Sequence, residues 1–287
     1  VELLGDIVRH PTFPEDELER ERQVILHEFT EYEEDPVSLA FECFDRACYG
    51  DHPAGRPVIG RRANVMRLTR QDLLDYVARQ YTACNVIVAA AGPVDEAALL
   101  RATEAAFGDM PRGTPHAVPM PQWQGGVKVR RVAGSGQCQV VLGYESPSLA
   151  DPRHVQDQLA AAVLGEGMSS PLLDELRERR GLAYHVAGSV DVLSYGGQMV
   201  IEAATGPEQA ADVLQEAERL MRQHADRCDA TALERARNQL TVRALRALEQ
   251  PARRLETVAQ EIYIDGRPRD PRDWLDRLAA LEPGDVC

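Results

Sequence analysis

One short stretch of sequence occurs twice in this chain of 287 residues: Leu18-Glu19-Arg20-Glu21-Arg22 and Leu233-Glu234-Arg235-Ala236-Arg237. The offset from Leu18 to Leu233 is 215 residues, and the same offset carries Pro36, at the end of the first helix pattern, onto Pro251. A match of this length can arise by chance. The proline-rich segment 111–126 lies between the two copies, however, and favours a duplication with a linker between the halves.

The duplication predicts a domain organisation. We expect residues 1–110 to be the C-terminal part of a first domain, 111–126 the linker, and 127–287 a second, homologous domain that is truncated at its C-terminus. If the offset holds throughout, the first copy would start about 88 residues before Val1, and the second would extend about 38 residues past Cys287. The chain is therefore expected to be a window of a longer two-domain protein.

Composition excludes several classes of protein. The net charge of -14 argues against a nucleic-acid partner, because binding phosphates requires clustered Lys and Arg. No apolar run approaches the roughly 20 residues that a membrane-spanning helix needs, so no membrane span is predicted. Because hydrophobic residues make up 44% and charged residues 27%, a globular protein is indicated.

Periodicity and turn residues predict both helices and strands without strict alternation, which favours an α+β fold over a doubly wound sheet. A capping box is predicted at Thr69 and Asp72. Long helices are expected at 15–34, 152–164 and 169–180. Strands are expected at 85–91, where the run is apolar enough to be buried, and at 127–133, 138–145, 182–191 and 197–204.

The helix 15–34 carries two acids on what should be its apolar face. At about 100° per residue, Val24, Ile25 and Tyr32 fall within about 60° of Glu28, and Glu21 falls within about 20° of it. Burying an unpaired carboxylate is expensive, so each acid would need a cation, a metal or hydrogen-bond donors. The simpler alternative is that both acids pair with basic residues or border a cleft.

The repeat bears on this choice. At the offset of 215, Glu21 corresponds to Ala236 and Glu28 to Arg243, while the neighbouring leucine and arginine positions are kept. The helix therefore does not need acids at these two places in order to fold. We infer that they serve something found in the first domain alone.

A second constellation lies in the second domain, where a helix ends at Gly181 and is followed by a strand. Arg177 lies before this turn and Tyr184 after it. From composition alone, the two are an ordinary surface charge and a half-buried ring.

Three stretches together resemble the pitrilysin-type (M16) zinc metallopeptidases, the inverzincins, and in particular the bacterial relatives of the mitochondrial processing peptidase. They are the segment from Glu21 to Glu28, the run Gly55-Arg56-Pro57-Val58-Ile59-Gly60, and the segment from Glu175 to Tyr184. The resemblance covers essentially the whole chain in order. It implies two homologous α+β domains, each an antiparallel-rich sheet with packed helices; both would be truncated here.

The resemblance also implies roles for particular residues. Members of the family bind Zn2+ through a His-x-x-Glu-His motif, whose Glu is the general base, and through a later Glu that Glu28 matches. Glu21 matches a nearby site-supporting acid. Arg177 and Tyr184 match a pair that holds the substrate backbone. The sequence contains no His-x-x-Glu-His, so this polypeptide is expected neither to hold catalytic zinc nor to cleave peptides by itself.

The expected function is thus that of a fragment of a zinc metalloendopeptidase that hydrolyses peptides in a chamber between its two domains. The alternative is a non-catalytic subunit of the same fold that binds peptide or scaffolds a partner. By family resemblance, the partners would be a peptide or unfolded protein substrate and a second M16 subunit, in a homo- or heterodimer. The cytoplasm is the predicted compartment, with the periplasm as the alternative.

Overall fold

A computed structural model describes residues 1–286 and contains both helices and strands, so the α+β prediction is confirmed. In chain order the elements are α1 (Glu2–Arg9), α2 (Glu15–Glu34), α3 (Pro36–Tyr49), α4 (Arg62–Arg67), α5 (Arg70–Gln80), α6 (Glu96–Phe107), β1 (Cys138–Ser146), α7 (His154–Gly165), α8 (Pro171–Leu173), β2 (Ala183–Val192), β3 (Gly197–Thr205), α9 (Ala210–Asp226), α10 (Ala230–Glu249), α11 (Pro251–Asp265) and α12 (Pro271–Ala280). A π-helix, Asp174–Arg179, directly follows α8.

Local capping explains why several helices begin where they do. The capping box predicted at the start of α5 is present: the Thr69 hydroxyl accepts from the backbone N–H of Asp72, whose carboxylate accepts from the N–H of Thr69. At α3, the Asp35 carboxylate accepts from the N–H groups of Val37 and Ser38, and Pro36 occupies the first turn.

The chain divides into two compact units. The first comprises Val1–Glu34, Pro57–Met120 and Gln250–Arg267, and the second comprises Asp35–Arg56, Pro121–Glu249 and Pro268–Cys287. Helix α3 therefore belongs to the second unit and α11 to the first, although Pro36 and Pro251 begin equivalent helices of the repeat. The predicted domains follow the duplicated sequence, whereas these units follow spatial contacts, so the two divisions differ. The boundaries 1–110, 111–126 and 127–287 stay a prediction.

The second unit is built on a three-stranded antiparallel sheet in the order β1-β3-β2. Val186 of β2 and Ile201 of β3 belong to a buried cluster that also contains Val213 of α9, on one face of the sheet. A second cluster contains Val200 of β3 with Phe44 of α3. Because neighbouring residues of a strand point to opposite faces, Val200 and Ile201 place helices on both sides of the sheet.

A glycine pair sets how closely α7 approaches β2. A Cβ added at Gly165 would lie 2.4 Å from the Cα and the N of Gly188, a separation that no side chain can adopt. Helix and strand backbones therefore touch at this point. Beside this contact, Leu164 of α7 is buried in one cluster with Val186 of β2.

An arginine of α2 binds the end of α4 within the first unit. The guanidinium of Arg22 donates to the carbonyl oxygens of Val65 and of Leu68, the residue that ends α4, the latter over 2.8 Å. Glu19, one turn earlier, holds the same guanidinium through a 2.9 Å hydrogen bond. Carbonyl groups that a helix end leaves unpaired thus find a cationic donor.

The second unit repeats this arrangement. Arg237 of α10 donates to the carbonyl oxygens of Leu278 over 3.3 Å and Leu281 over 2.5 Å, at the end of α12, and Glu234 holds its guanidinium over 2.6 Å. Glu19 and Arg22 correspond to Glu234 and Arg237 at the offset of 215. The repeated residues therefore make the same kind of contact in both units. This agreement supports the duplication.

Two of the predicted strands are wrong. Val86 has extended backbone angles, but residues 85–91 form no ladder with any residue in the range 1–286, and Ile87 and Val88 are exposed rather than buried. Residues 127–133 likewise form no strand, and Val127 and Val129 are exposed. An apolar run favours extended backbone, whereas a strand also needs a hydrogen-bonded neighbour, which the run itself does not specify.

Candidate functional site

Helix α2 buries a face centred on Phe29. Its ring is 4% exposed, and the Arg62 guanidinium of α4 lies over it at 5.4 Å from the ring centroid. Arg22, which lies on the same side of the helix as Phe29, is largely covered because its guanidinium reaches the end of α4. The covered face of α2 is therefore the face that contacts α4.

Glu21 and Glu28 are both exposed, so the prediction that they lie on a buried face is wrong. The covered face is centred one residue, about 100°, away from Glu28. Val24, on the same side as the two acids, is 49% exposed, so this side of the helix is open to a large extent. The apolar arc of α2 is wide, and its periodicity does not tell which part of the arc is covered. Neither carboxylate has a hydrogen bond or ion pair within residues 1–286.

The counterpart of Glu28 in the second unit is differently placed. Arg243 of α10 forms an ion pair with Glu166, whose carboxylate also accepts from Gln239 over 3.2 Å. Ala236, the counterpart of Glu21, is fully buried. The two halves therefore differ chemically at these two helix positions. In α2 both positions carry carboxylates without a described partner, whereas in α10 one carries an arginine paired with Glu166 and the other a buried alanine.

Arg177 lies within the π-helix Asp174–Arg179, where the sequence predicted an uninterrupted α-helix. π-turns are rare and are found frequently at functional sites. The Arg177 side chain is half-exposed, and its described ionic contact is a loose one of 3.6 Å to the neighbouring Glu178. Most of its donor groups are thus free to bind another molecule.

Tyr184 is the extra residue of a β-bulge. Ala183 pairs with Thr205 and His185 pairs with the next residue of β3, Ala204, so Tyr184 has no partner in the ladder. Its side chain is 66% exposed. Bulges are over-represented beside active sites, where they redirect a side chain. The structure thus places Arg177 and Tyr184 on two backbone irregularities, one on each side of the turn at Gly181.

Sequence reasoning missed the residues that hold this turn. The Thr205 hydroxyl donates to the carbonyl of Leu182 over 2.5 Å, and Glu216 of α9 contacts Arg180 over 3.4 Å. Two pairs of opposite charge spaced by five residues, Asp174 with Arg179 and Glu175 with Arg180, were readable in the sequence. In the sequence alone, however, Glu175 and Arg179 are four residues apart and fit an α-helix equally well, so the charges do not distinguish the two kinds of turn.

Comparison with protein families gives two matches in chain order. The model described as "Insulinase (Peptidase family M16)" matches residues 1–62, and the one described as "Peptidase M16 inactive domain" matches residues 67–240, more than half of the chain. The chain belongs to peptidase family M16. Membership agrees with the resemblance found in the sequence motifs.

Relatives in this family are named zinc proteases. An "Uncharacterized zinc protease" of Mycobacterium bovis is 35% identical over 219 residues, which are 75% of this chain and 50% of that protein. A protein of the same description from Rickettsia bellii is 27% identical over 285 residues, 99% of this chain and 69% of that protein. The M16 chain thus spans half to about two thirds of the length of these relatives.

Solved structures show the same fold. A protease from Helicobacter pylori superposes with a TM-score of 0.88 at 21% identity, over 99% of this chain and 70% of that one. A peptidase M16 inactive domain from Pseudomonas fluorescens has a TM-score of 0.85 at 22% identity, over 99% of this chain and 68% of that one. At these identities the likeness is evidence for the M16 fold alone.

Zinc is the metal of the family, as the names of the relatives indicate. A catalytic zinc takes three protein ligands and a water. Residues 1–286 contain no group of three or more His, Cys, Asp or Glu that could hold a metal ion. The described residues do not make up a complete zinc site, and Glu28 is the one ligand that the family resemblance assigns to them.

A helix that spans a membrane is both long and strongly apolar. Within residues 1–286, none combines the length and the hydropathy of a membrane-spanning segment.

Proposed function

We propose that this M16 chain is part of a zinc-dependent metalloendopeptidase, in which Arg177 and Tyr184 hold the backbone of a peptide or unfolded protein. The reaction would take place in a chamber between two homologous domains. The polypeptide as given would be inactive, because it supplies one of the three zinc ligands. A cytoplasmic dimer with the same or another M16 subunit is the proposed assembly.

The proposal is based on the exposure of the Arg177 and Tyr184 side chains on either side of one turn. Both side chains are exposed, and they flank one turn of the second unit. A guanidinium and a phenol both donate hydrogen bonds, and a peptide backbone offers carbonyl acceptors whatever its sequence. This arrangement suits recognition of an extended chain by its backbone.

The role proposed for Glu28 rests on family membership and on the contrast with Arg243. The expected burial of Glu28 no longer supports this role, since the side chain is exposed. Its carboxylate has no partner within the described residues and is therefore available to a metal held also by other ligands. Glu21, on the same face of α2, would support that site as a nearby acid.

The test is made in the longer protein that the resemblance predicts, with Glu28→Gln. We expect bound zinc and peptide hydrolysis both to be lost while the fold is retained, because an amide is a far weaker zinc ligand than a carboxylate. Glu31→Gln, at an exposed acid of the same helix, is the matched control.

Zinc content by elemental analysis and cleavage of an unfolded protein are the two readouts. A Glu28→Gln protein that keeps its zinc would remove the ligand role. An unaltered longer protein without zinc and without activity would favour the alternative, a non-catalytic M16 subunit that binds peptide or scaffolds a partner.

A further inference from the structure

The π-helix before Tyr184 is held by two ion pairs with the same unusual spacing. Arg179 contacts Asp174 over 2.8 Å, and Arg180 contacts Glu175 over 2.9 Å. Residues five apart are stacked in a π-helix but not in an α-helix, in which residues three and four apart are neighbours. Both pairs therefore favour the wide turn, and they are shorter than the 3.8 Å contact that Arg179 makes with Glu175 at the four-residue spacing.

A third acid reaches this turn from another helix. Glu216 of α9 is 4% exposed. One carboxylate oxygen accepts from the Arg219 guanidinium over 2.5 Å and 2.8 Å, and the other faces Arg180 over 3.4 Å. Burial of a carboxylate is unfavourable unless cations and donors compensate it, and here two guanidinium groups do so. These groups also hold the pKa of Glu216 below its usual range, the hydrogen bond from Arg219 contributing most.

We propose that Glu216 is a positioning residue, which through Arg180 holds the π-turn that presents Arg177 and Tyr184 to a peptide. This inference rests on the proposed function, because it takes Arg177 and Tyr184 as the peptide-binding pair. Glu216 itself is buried and does not contact the peptide.

The geometry explains why such a residue is needed. If the π-turn relaxed to an α-turn, one residue would be lost from the turn and Arg177 would rotate by about 100° relative to the strand that follows. After the turn, Gly181 has a φ of +60°, and Thr205 binds the Leu182 carbonyl at the start of β2. The Leu182 carbonyl is thus anchored to the sheet, and Arg180, two residues earlier at the end of the π-turn, is anchored to α9 by Glu216.

The test uses the 287-residue chain and a fluorescein-labelled carboxymethylated α-lactalbumin, a permanently unfolded protein, as the probe for fluorescence anisotropy. We expect Glu216→Gln to weaken binding about fivefold to tenfold, which lies within the range of effects between residues coupled in one network. The control is Glu218→Gln, an exposed acid of the same helix that pairs with Arg222 over 2.6 Å. It should bind as the unaltered chain does.

A double variant separates positioning from a general effect on the fold. If Glu216 acts through the turn, Glu216→Gln combined with Tyr184→Phe should bind little worse than the weaker binder of the two single variants. If the double variant loses affinity by the product of the two single losses, the inference is wrong. Equal binding by Glu216→Gln and Glu218→Gln would also overturn it. Arg180→Gln is the second variant, needed if Glu216→Gln does not fold, and it should show the same loss.

The same binding assay distinguishes failure of the proposed function from failure of the positioning role. If Arg177→Ala and Tyr184→Phe both bind the unfolded protein as tightly as the unaltered chain does, the pair does not hold peptide, and both proposals fall. If these two variants bind weakly while Glu216→Gln and Arg180→Gln do not, the positioning role alone is wrong.

Discussion

Two imidazoles of the second unit lie in surroundings that favour their neutral form. His154, at the start of α7, is buried, and its Nδ1 lies 2.6 Å from the carbonyl oxygen of Asp151, to which it donates. Burial lowers its pKa from the usual 6.5, and the nearby Arg269 and Arg277 add to the effect. Burial also lowers the pKa of His224, whose Nε2 has no partner within the described residues.

These shifts predict a pH dependence of stability. Because the folded-state pKa of His154 is lowered, the unfolded chain binds more protons near pH 6. Its contribution to stability should be complete above about pH 6.5 and decline as the pH falls through the folded-state value. His154→Asn keeps a donor near Nδ1 but does not titrate, so its urea midpoint should fall less between pH 7.5 and 5.5.

His27→Asn, at an exposed histidine of α2, is the control for this measurement. It should follow the unaltered chain at both pH values. An equal decline in the His154→Asn and unaltered proteins would show that His154 is not responsible.

The acids of α2 illustrate what periodicity does and does not encode at the level of one side chain. It correctly predicted an apolar face that includes Ile25, which is partly buried, and Phe29, four residues further along, is buried. It did not predict that α4 would cover the half of that face where Phe29 and Arg22 lie and leave Glu28 exposed. The choice depends on a contact between α2 and α4, residues distant in sequence, which no local pattern carries.

At the scale of elements, the contact between α7 and β2 is the most sensitive to a small change. A methyl group at Gly165 would overlap the backbone of Gly188, and backbone atoms cannot move aside as a flexible side chain can. We expect Gly165→Ala to lower the free energy of unfolding by about 1–3 kcal/mol, the usual cost of overpacking a core. Urea unfolding followed by circular dichroism measures it.

Gly196→Ala is the matched control, because a Cβ at that position meets no other atom within 4 Å. It should change stability by much less. A Gly165→Ala chain as stable as the Gly196→Ala chain would mean that α7 and β2 are not in backbone contact.

Helices were predicted better than strands, for a physical reason. The start of α5 is determined by Thr69 and Asp72, which lie three residues apart, and the start of α3 by Asp35 and Pro36. Strands are determined by pairing: the residues of β2 and β3 find partners, whereas residues 85–91 find none in the described range. The π-turn was missed because the charges of its segment also suit an α-helix, and because one of the contacts that hold it, from Glu216 to Arg180, comes from a distant helix.

For the whole chain, the family resemblance leads to a prediction about metal. The 287-residue polypeptide, purified and dialysed against zinc, should retain far less than one zinc per chain, because one carboxylate cannot replace three ligands. Elemental analysis measures the content. Stoichiometric zinc that is lost in Glu28→Gln would contradict the prediction and would reveal ligands that sequence and structure did not indicate.

The duplication was the part of the architecture most visible in the sequence. Leu18 to Arg22 and Leu233 to Arg237 predicted two related halves, and the matched contacts of Arg22 and Arg237 support them. Arg177 and Tyr184 were predicted as a pair by resemblance to the family. The bulge and the π-turn that expose them could not be predicted, because each depends on register with, or contacts to, distant segments.

The membership of α11 in the first unit has a consequence for biosynthesis. A ribosome releases residues 1–120 well before residues 250–267, yet the first unit includes both. The nascent first unit therefore lacks α11 until residue 267 has emerged, and the surface that α11 contacts stays open to chaperones for that time.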